Sequence, residues 1–172
     1  MSRTMTNCLR AVFLRDLKSL ADSVEAYGDD HAMWSQPSSI SNSGGNLALH
    51  LAGNIQHFIG AKLGKSGYVR DRNREFTTCS LSRGEILKEV QAARECVDRT
   101  LESVTDEDLG KPFPIGIDGV HVETGDFLLH LSSHLAYHLG QLDYHRRGFA
   151  EEAPSVNAVS IPALFTFEKS DS

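Results

Sequence analysis

The sequence predicts an all-α protein, a four-helix bundle with long inter-helix loops and a small β-hairpin before the fourth helix. Apolar side chains recur at helical spacing in four separate segments, as they do in amphipathic helices that share a core. Helix-capping residues and loops rich in glycine, serine and proline separate these segments. A chain of 172 residues can bury one sizeable core, so we expect residues 1–172 to form a single domain.

The first predicted helix spans residues 5 to 27 and ends at Gly28, because glycine commonly terminates a helix. Asp16 is expected on the face opposite the apolar stripe. Residues 28 to 44 have the composition of a loop, although Met33 and Trp34 are expected to insert into the core. The apolar stripe of the helix consists of Val12, Phe13, Leu17, Leu20, Ala21, Val24 and Tyr27.

The second predicted helix spans residues 46 to about 63 and is capped by Ser43 or Asn42. Residues 64 to 81 are expected to form another loop. The third helix begins after Ser82, which forms a capping box with Glu85, and ends near Val104.

A β-hairpin is predicted for residues 113 to 122, where β-branched residues alternate around Asp118-Gly119. Thr124 is expected to cap the fourth helix, over residues 126 to 147, and Gly148 to end it. The tail, residues 148–172, contains an apolar stretch at residues 161 to 167. We expect this tail to pack against the bundle or against a partner chain.

Composition and charge exclude several classes of protein. The net charge of −6 is unlike that of a duplex-DNA binder, which usually presents a basic face, so no nucleic acid is expected as a partner. No apolar run is long enough to span a membrane and no secretory signal opens the chain, which predicts a cytoplasmic protein. Cys8, Cys79 and Cys96 are too far apart for a metal-binding or redox pair; Cys8 and Cys96 are expected to be buried and Cys79 to lie in a loop.

The histidines carry the strongest functional signal. His134 and His138 lie four residues apart in the fourth helix, so both imidazoles can reach one metal ion from one face. A third ligand is expected from the second helix, and spacing alone leaves both His50 and His57 possible. Three histidine ligands leave coordination positions open, which is typical of catalytic sites.

Other polar residues near these histidines have weaker signals. His130 points in a different direction from His138, and His145 lies about 10 Å further along the helix than His138. Gln141 and Asn54 are candidates for orienting a ligand imidazole or a substrate, whereas Tyr137 is expected to be a packing residue. The remaining histidines, His31 and His121, are expected at the surface.

Three arginines alternate in the second loop, at Arg70, Arg72 and Arg74. One interpretation is a cationic grip on a carboxylate or on a thiol cofactor. The other interpretation, which we favour, is a salt-bridged loop that closes one end of the bundle, with Phe76 as its anchor.

Three segments resemble the DinB-like (DinB/YfiT) superfamily, and in particular its branch with an RDRxxEF loop. They are NLALHLAGN at residues 46–54, GYVRDRNREF at 67–76 and HLAYHLGQ at 134–141, and the resemblance spans residues 30 to 145. It implies a four-helix bundle, often a homodimer, with one divalent metal ion per chain, zinc or nickel, bound by His50, His134 and His138. Characterised relatives include thiol-dependent transferases and metal-dependent hydrolases.

The sequence therefore suggests a metal-dependent enzyme of the thiol S-transferase type, with a low-molecular-weight thiol as co-substrate and a small molecule as substrate. The alternatives are a metal-dependent hydrolase, a non-catalytic metal-binding protein associated with stress, and a metal-free helical dimer. A hydrolase of the protease type is less favoured, because no glutamate lies between His134 and His138 as in HExxH enzymes.

Overall fold

The computed structural model describes residues 4–116, 119–149, 153 and 155–164, and these residues form an all-α bundle. The helix that continues α3 is a π-helix, Gln56–Leu63, and a 3-10 turn covers Pro162–Leu164. The predicted fold class is confirmed. The α-helices are α1 Met5–Glu25, α2 Asp30–Trp34, α3 Gly44–Ile55, α4 Arg72–Thr77, α5 Arg83–Ser103, α6 Asp106–Leu109 and α7 Thr124–Gly148.

Helix starts follow the capping residues for α3 and α5. The Ser43 hydroxyl accepts from the backbone N–H of Asn46, and the Asn46 side chain accepts from the Ser43 N–H in return. Ser82 and Glu85 form the same reciprocal pair at the start of α5. Each capping box satisfies two backbone donors that the first helical turn leaves without partners.

The predicted cap of α7 is wrong. Thr124 is the first residue of the helix rather than its cap, and Glu123 precedes it without a side-chain capping bond. The Thr124 hydroxyl instead donates to the carbonyl of Lys111, at 2.9 Å, which ties the helix start to the preceding loop.

The predicted β-hairpin is not seen. The described residues hold an isolated antiparallel bridge between Pro112 and Glu123, beside a hydrogen bond from Phe113 N–H to the carbonyl of Val122. Pro112 and Pro114 have no N–H, so this arm cannot donate a regular ladder of hydrogen bonds. Residues 117–118, which include the first residue of the predicted turn, lie outside the described residues.

The bundle places α1 and α3 diagonally opposite each other, because both pack mainly against α5 and α7. Arg10 binds Asp98 near one end of α1, and Arg83 donates to the carbonyl of Glu25 near the other end. Helices α1 and α5 are therefore antiparallel.

Helices α3 and α5 run in the same direction. The Gln56 amide donates to the backbone carbonyl of Glu89, and further along both helices Gly64 lies against the Thr100 side chain. The connection from the end of the π-helix to the start of α5 must therefore run back along the length of the bundle. This explains why the connection is as long as residues 64–82. On this return path α4 packs against α3.

The segment before α3, predicted to be a loop, contains the short helix α2, and Met33 and Trp34 of this helix anchor it in the core as expected. Met33 is fully buried, and Trp34 Nε1–H donates to the carbonyl of Leu81 at 2.8 Å. The Trp34 ring lies so close to Gly45 that a Cβ there would overlap it. A glycine at this position thus allows the loop to close over the start of α3.

Asp16 and Cys96 are both buried. Asp16 is 1% exposed rather than on an outer face, and its carboxylate accepts from Arg15 Nε at 2.7 Å, so its charge is partly neutralised. Cys96 is buried, and burial raises the pKa of its thiol to about 11, which makes it unreactive at neutral pH. Cys8 is only half-buried and Cys79 is exposed.

None of the helices in the described parts of the chain has the length and apolar character needed to cross a lipid bilayer. The 3-10 turn Pro162–Leu164 contacts α1. Most of the rest of the predicted packing tail, residues 150–152, 154 and 165–172, lies outside the described residues.

Candidate metal centre

Three histidine rings converge between α3 and α7. These helices are antiparallel neighbours, as the contacts of Phe58 with Phe127 and of His50 with His138 indicate, and α7 presents His134 and His138 one turn apart. The ring centroid of His50 lies 5.2 Å from that of His134 and 5.2 Å from that of His138. The centroids of His134 and His138 are 4.5 Å apart. One nitrogen of each ring lies within 4.8 Å of the corresponding nitrogens of the other two.

The nitrogen spacing fits a shared metal ion. His50 Nε2 and His134 Nε2 are 3.4 Å apart. Two nitrogens bound at about 2.1 Å to a tetrahedral ion such as Zn²⁺ would lie about 3.4 Å apart. The cluster could therefore hold a divalent ion with imidazole ligands and leave further coordination positions open.

A buried glutamate fixes the orientation of His50. Glu75, in α4, lies with Oε2 3.1 Å from His50 Nδ1. Because a carboxylate only accepts hydrogen bonds, a bond to Glu75 requires the proton on Nδ1 and leaves the Nε2 lone pair for the cluster. Arg70 Nη2 lies 3.1 Å from the same Nδ1, and it would donate to this nitrogen in the other tautomer. Gly53 provides the space for this contact, since a Cβ there would overlap Glu75 Oε1.

Arg70 in turn holds Glu75 in place. Its Nε donates to Oε1 at 2.6 Å and its Nη2 to Oε2 at 2.7 Å, a bidentate ion pair. Both side chains are largely buried, with 11% of Arg70 and 7% of Glu75 exposed. Burial acts to raise the pKa of Glu75, but the hydrogen bonds from His50 and Arg70 together outweigh it and lower that pKa. Glu75 is therefore ionised at neutral pH.

On α7, a hydrogen bond also orients the ring of His138. His138 Nδ1 lies 2.7 Å from Gln141 Oε1, so Nδ1–H donates to the amide oxygen and Nε2 is left as an acceptor. His134 Nδ1 is buried and has no hydrogen-bond partner among the described residues. Carboxylate or amide partners of this kind are the usual supports of metal-binding imidazoles.

Burial keeps the two α7 imidazoles neutral. It is the largest cause of the lowered pKa of His134, about 4, and the charges of His138 and His50 act in the same direction. The pKa of His138 is also lowered by burial, although the Gln141 hydrogen bond opposes the shift. Neutral rings have the lone pairs that a metal ion requires.

The cluster opens into a cavity of about 520 Å³. Asn54 lies in its wall, and its Oδ1 is buried without a hydrogen-bond partner in the described parts of the chain. The described residues show no hydrogen bond between Asn54 and a ring of the cluster, so the expected support of an imidazole by Asn54 is not seen. In addition to the three histidines and Asn54, the wall contains Asn42, Leu47, Arg70, Arg72 and Phe76, and among described residues it contains no carboxylate.

A family model matches most of the chain. A family model described as "Protein of unknown function (DUF1572)" matches residues 1–163. The chain belongs to the DUF1572 family.

Solved structures agree at the level of the fold. A DinB-like protein from Bacillus cereus ATCC 10987 is 18% identical, with a TM-score of 0.69 over 90% of this chain and 99% of that one. The DinB-like protein YjoA from Bacillus subtilis is 19% identical, with a TM-score of 0.63 over 87% and 98% of the two chains. The fold expected from the resemblance to DinB-like proteins is thus confirmed. No curated protein matches this sequence.

Within this DUF1572 chain, the other candidate histidines lie apart from the cluster. His57 belongs to the π-helix and does not join the three rings, so the choice between His50 and His57 falls on His50. His130 is exposed and stacks on Phe127. His145 is buried between the Tyr27 hydroxyl and the carbonyl of Ser35, while His31 and His121 are exposed as expected.

Sequence reasoning missed Glu75, and it misjudged Tyr137. The expected salt-bridged loop exists, but its Arg70–Glu75 pair supports His50 instead of only closing one end of the bundle. The one available signal was the RDRxxEF motif, which contains Glu75. Tyr137 is 65% exposed and lines a neighbouring groove of about 640 Å³ that shares Asn42 and Leu47 with the histidine cavity.

Proposed function

We propose that this protein binds one divalent ion, zinc or nickel, through His50, His134 and His138, and that it is a metal-dependent enzyme of the thiol S-transferase type. The observation that carries the proposal is a cluster of three imidazoles, each with a nitrogen directed at a common point, that opens into a cavity large enough for a small molecule. Structural zinc sites usually have four protein ligands and no open position, which is unlike this arrangement.

The positions of the carboxylate side chains favour a thiol over water as the nucleophile. Metal-assisted hydrolysis commonly uses a carboxylate as general base beside the attacking water. The nearest carboxylate, Glu75, is held by Arg70 and bonds to His50 Nδ1, away from the cavity. A bound divalent ion supplies the Lewis acidity that lowers the pKa of a thiol and makes it nucleophilic without a protein base.

The residues of the chain then bind and orient the reactants. Glu75 and Gln141 hold the imidazoles of His50 and His138 in their orientation. Asn54 adds a polar side chain to the cavity wall beside the three histidines. The neighbouring groove, with the exposed rings of Tyr137 and Tyr144, gives room for an electrophilic second substrate next to the thiol.

The transferase activity can be tested by S-arylation. Cysteine and 1-chloro-2,4-dinitrobenzene form a new carbon–sulfur bond and release chloride and a proton, and the product is followed by its absorbance. The zinc- or nickel-loaded protein is expected to accelerate this reaction with saturation in the thiol, whereas protein stripped by a chelator gives the background rate. Equal rates for the loaded and stripped proteins across a panel of small thiols would contradict the proposal.

Replacement of Gln141 by alanine is expected to weaken metal affinity by about tenfold, because partners of ligand imidazoles contribute about 10–100-fold. Gln141 is exposed, so the fold should be unaffected. Affinity is measured by competition with a chromophoric chelator. Gln91→Ala is the matched control, since that exposed glutamine bonds to Glu95 on α5. Unchanged affinity in Gln141→Ala would exclude a supporting role for its side chain.

A further inference from the structure

The three loop arginines differ in what they contact. Arg70 is held by Glu75, and Arg74 lies 3.6 Å from Glu89 on the outer side of α4. Arg72 instead lines the histidine cavity. In the described parts of the chain no carboxylate lies within ion-pairing distance of Arg72.

An aromatic contact places the exposed side chain of Arg72 beside Phe76. Its guanidinium carbon lies 5.5 Å from the centroid of the Phe76 ring, within the range of a cation–π interaction. The Phe76 ring centroid lies in turn 5.1 Å from that of His50. Arg72 is therefore stacked one ring away from the histidine cluster, and a stacked guanidinium keeps its N–H edge free to bind an acceptor.

The charge of the cavity contrasts with the charge of the whole chain. The protein carries −6 overall, but the cavity wall contains two arginines and, among described residues, no carboxylate. Glu75 offsets only Arg70. With a divalent ion on the histidines, the cavity would have a positive potential that attracts anionic ligands.

We propose that Arg72 binds a carboxylate of the substrate thiol, so that the protein selects low-molecular-weight thiols that carry a carboxylate. A planar guanidinium donates two parallel hydrogen bonds to a carboxylate, which gives orientation as well as affinity. This inference rests on the proposed thiol-binding function and names its substrate class. This role of Arg72 goes beyond the interpretation of the arginine loop as a salt-bridged segment that closes one end of the bundle.

The test compares three thiols that differ in their second group. Protein loaded with Co²⁺ is titrated with 3-mercaptopropionate, 2-mercaptoethanol and cysteamine, and binding is read from the sulfur-to-cobalt absorption band. In the unmodified protein, 3-mercaptopropionate is expected to bind about tenfold more tightly than 2-mercaptoethanol, and cysteamine the most weakly. Arg72→Gln should reduce the first ratio to about one, Arg72→Lys should restore part of it, and Arg74→Gln should leave it unchanged.

The outcomes separate the two proposals. If Arg72→Gln keeps the full preference for 3-mercaptopropionate, the carboxylate binds elsewhere, for example to the metal ion, and the inference about Arg72 is overturned while thiol binding stands. If none of the three thiols produces the absorption band in the unmodified cobalt protein, the thiol-binding function itself is overturned, and the inference fails with it.

Discussion

Replacement of His134 by alanine is expected to lower the affinity for zinc or nickel by more than about 100-fold, since loss of a supporting residue alone contributes about 10–100-fold. His134 contributes the nitrogen that lies 3.4 Å from His50 Nε2, and without it only two imidazoles remain. The side chain is only half-buried, so the free energy of unfolding of the metal-free protein should change little. Metal affinity is measured by chelator competition and folding by thermal melting.

His130→Ala is the matched control for this change. His130 lies one turn earlier on the same helix, is exposed and stacks on Phe127. Its ring centroid is 6.2 Å from that of His134, but it is not one of the three converging rings. The His130→Ala variant should therefore bind metal with the same affinity as the unmodified protein. An equal loss of affinity in both variants, or none in His134→Ala, would mean that the convergence of the three rings does not create the metal site.

Loss of Glu75 is expected to have the largest effect on stability. Glu75→Ala leaves the largely buried guanidinium of Arg70 without its partner. Breaking a fully buried ion pair costs about 3–5 kcal/mol, and because Arg70 also lines the cavity, we expect a cost toward the lower end of this range. It also removes the acceptor of His50 Nδ1, so metal affinity should fall by about 10–100-fold. Urea unfolding of the metal-free protein measures the first effect and chelator competition the second.

Two further variants make this result interpretable. Glu75→Gln keeps the shape of the side chain, so it should remain folded and allow metal affinity to be measured if the alanine variant unfolds. Arg74→Gln breaks an ion pair whose arginine is 51% exposed, and it should cost about 0–1 kcal/mol. Similar unfolding free energies for Glu75→Ala and Arg74→Gln would contradict the structural importance of the Arg70–Glu75 pair.

Features set by local sequence were predictable. The capping box at Ser82 predicted the start of α5, and Ser43, one of two candidate caps, precedes α3, because capping depends on residues within one turn. The pairing of His134 and His138 followed from the helical repeat alone. The predicted hairpin is not seen in the described residues, because Pro112 and Pro114 lack the N–H groups that a ladder needs, whatever the alternation of side chains.

Features set by the arrangement of helices were not predictable from the residues alone. The choice between His50 and His57 depends on the register of α3 against α7, which the spacing of residues on one helix cannot give; the family resemblance supplied it. Glu75 reaches His50 only because the connection between two parallel helices returns along α3. A glutamate that bonds to a distant histidine has no signature in its local sequence. The homodimer and the cytoplasmic location stay predictions.

The most direct test is anomalous diffraction from crystals of protein purified without a histidine tag, with data collected above and below the zinc and nickel absorption edges. We expect one anomalous peak per chain, bound by His50, His134 and His138 at about 2.1 Å from their Nε2 atoms. Rings turned away from one another, with no peak between them in crystals grown with either metal, would contradict the existence of the site.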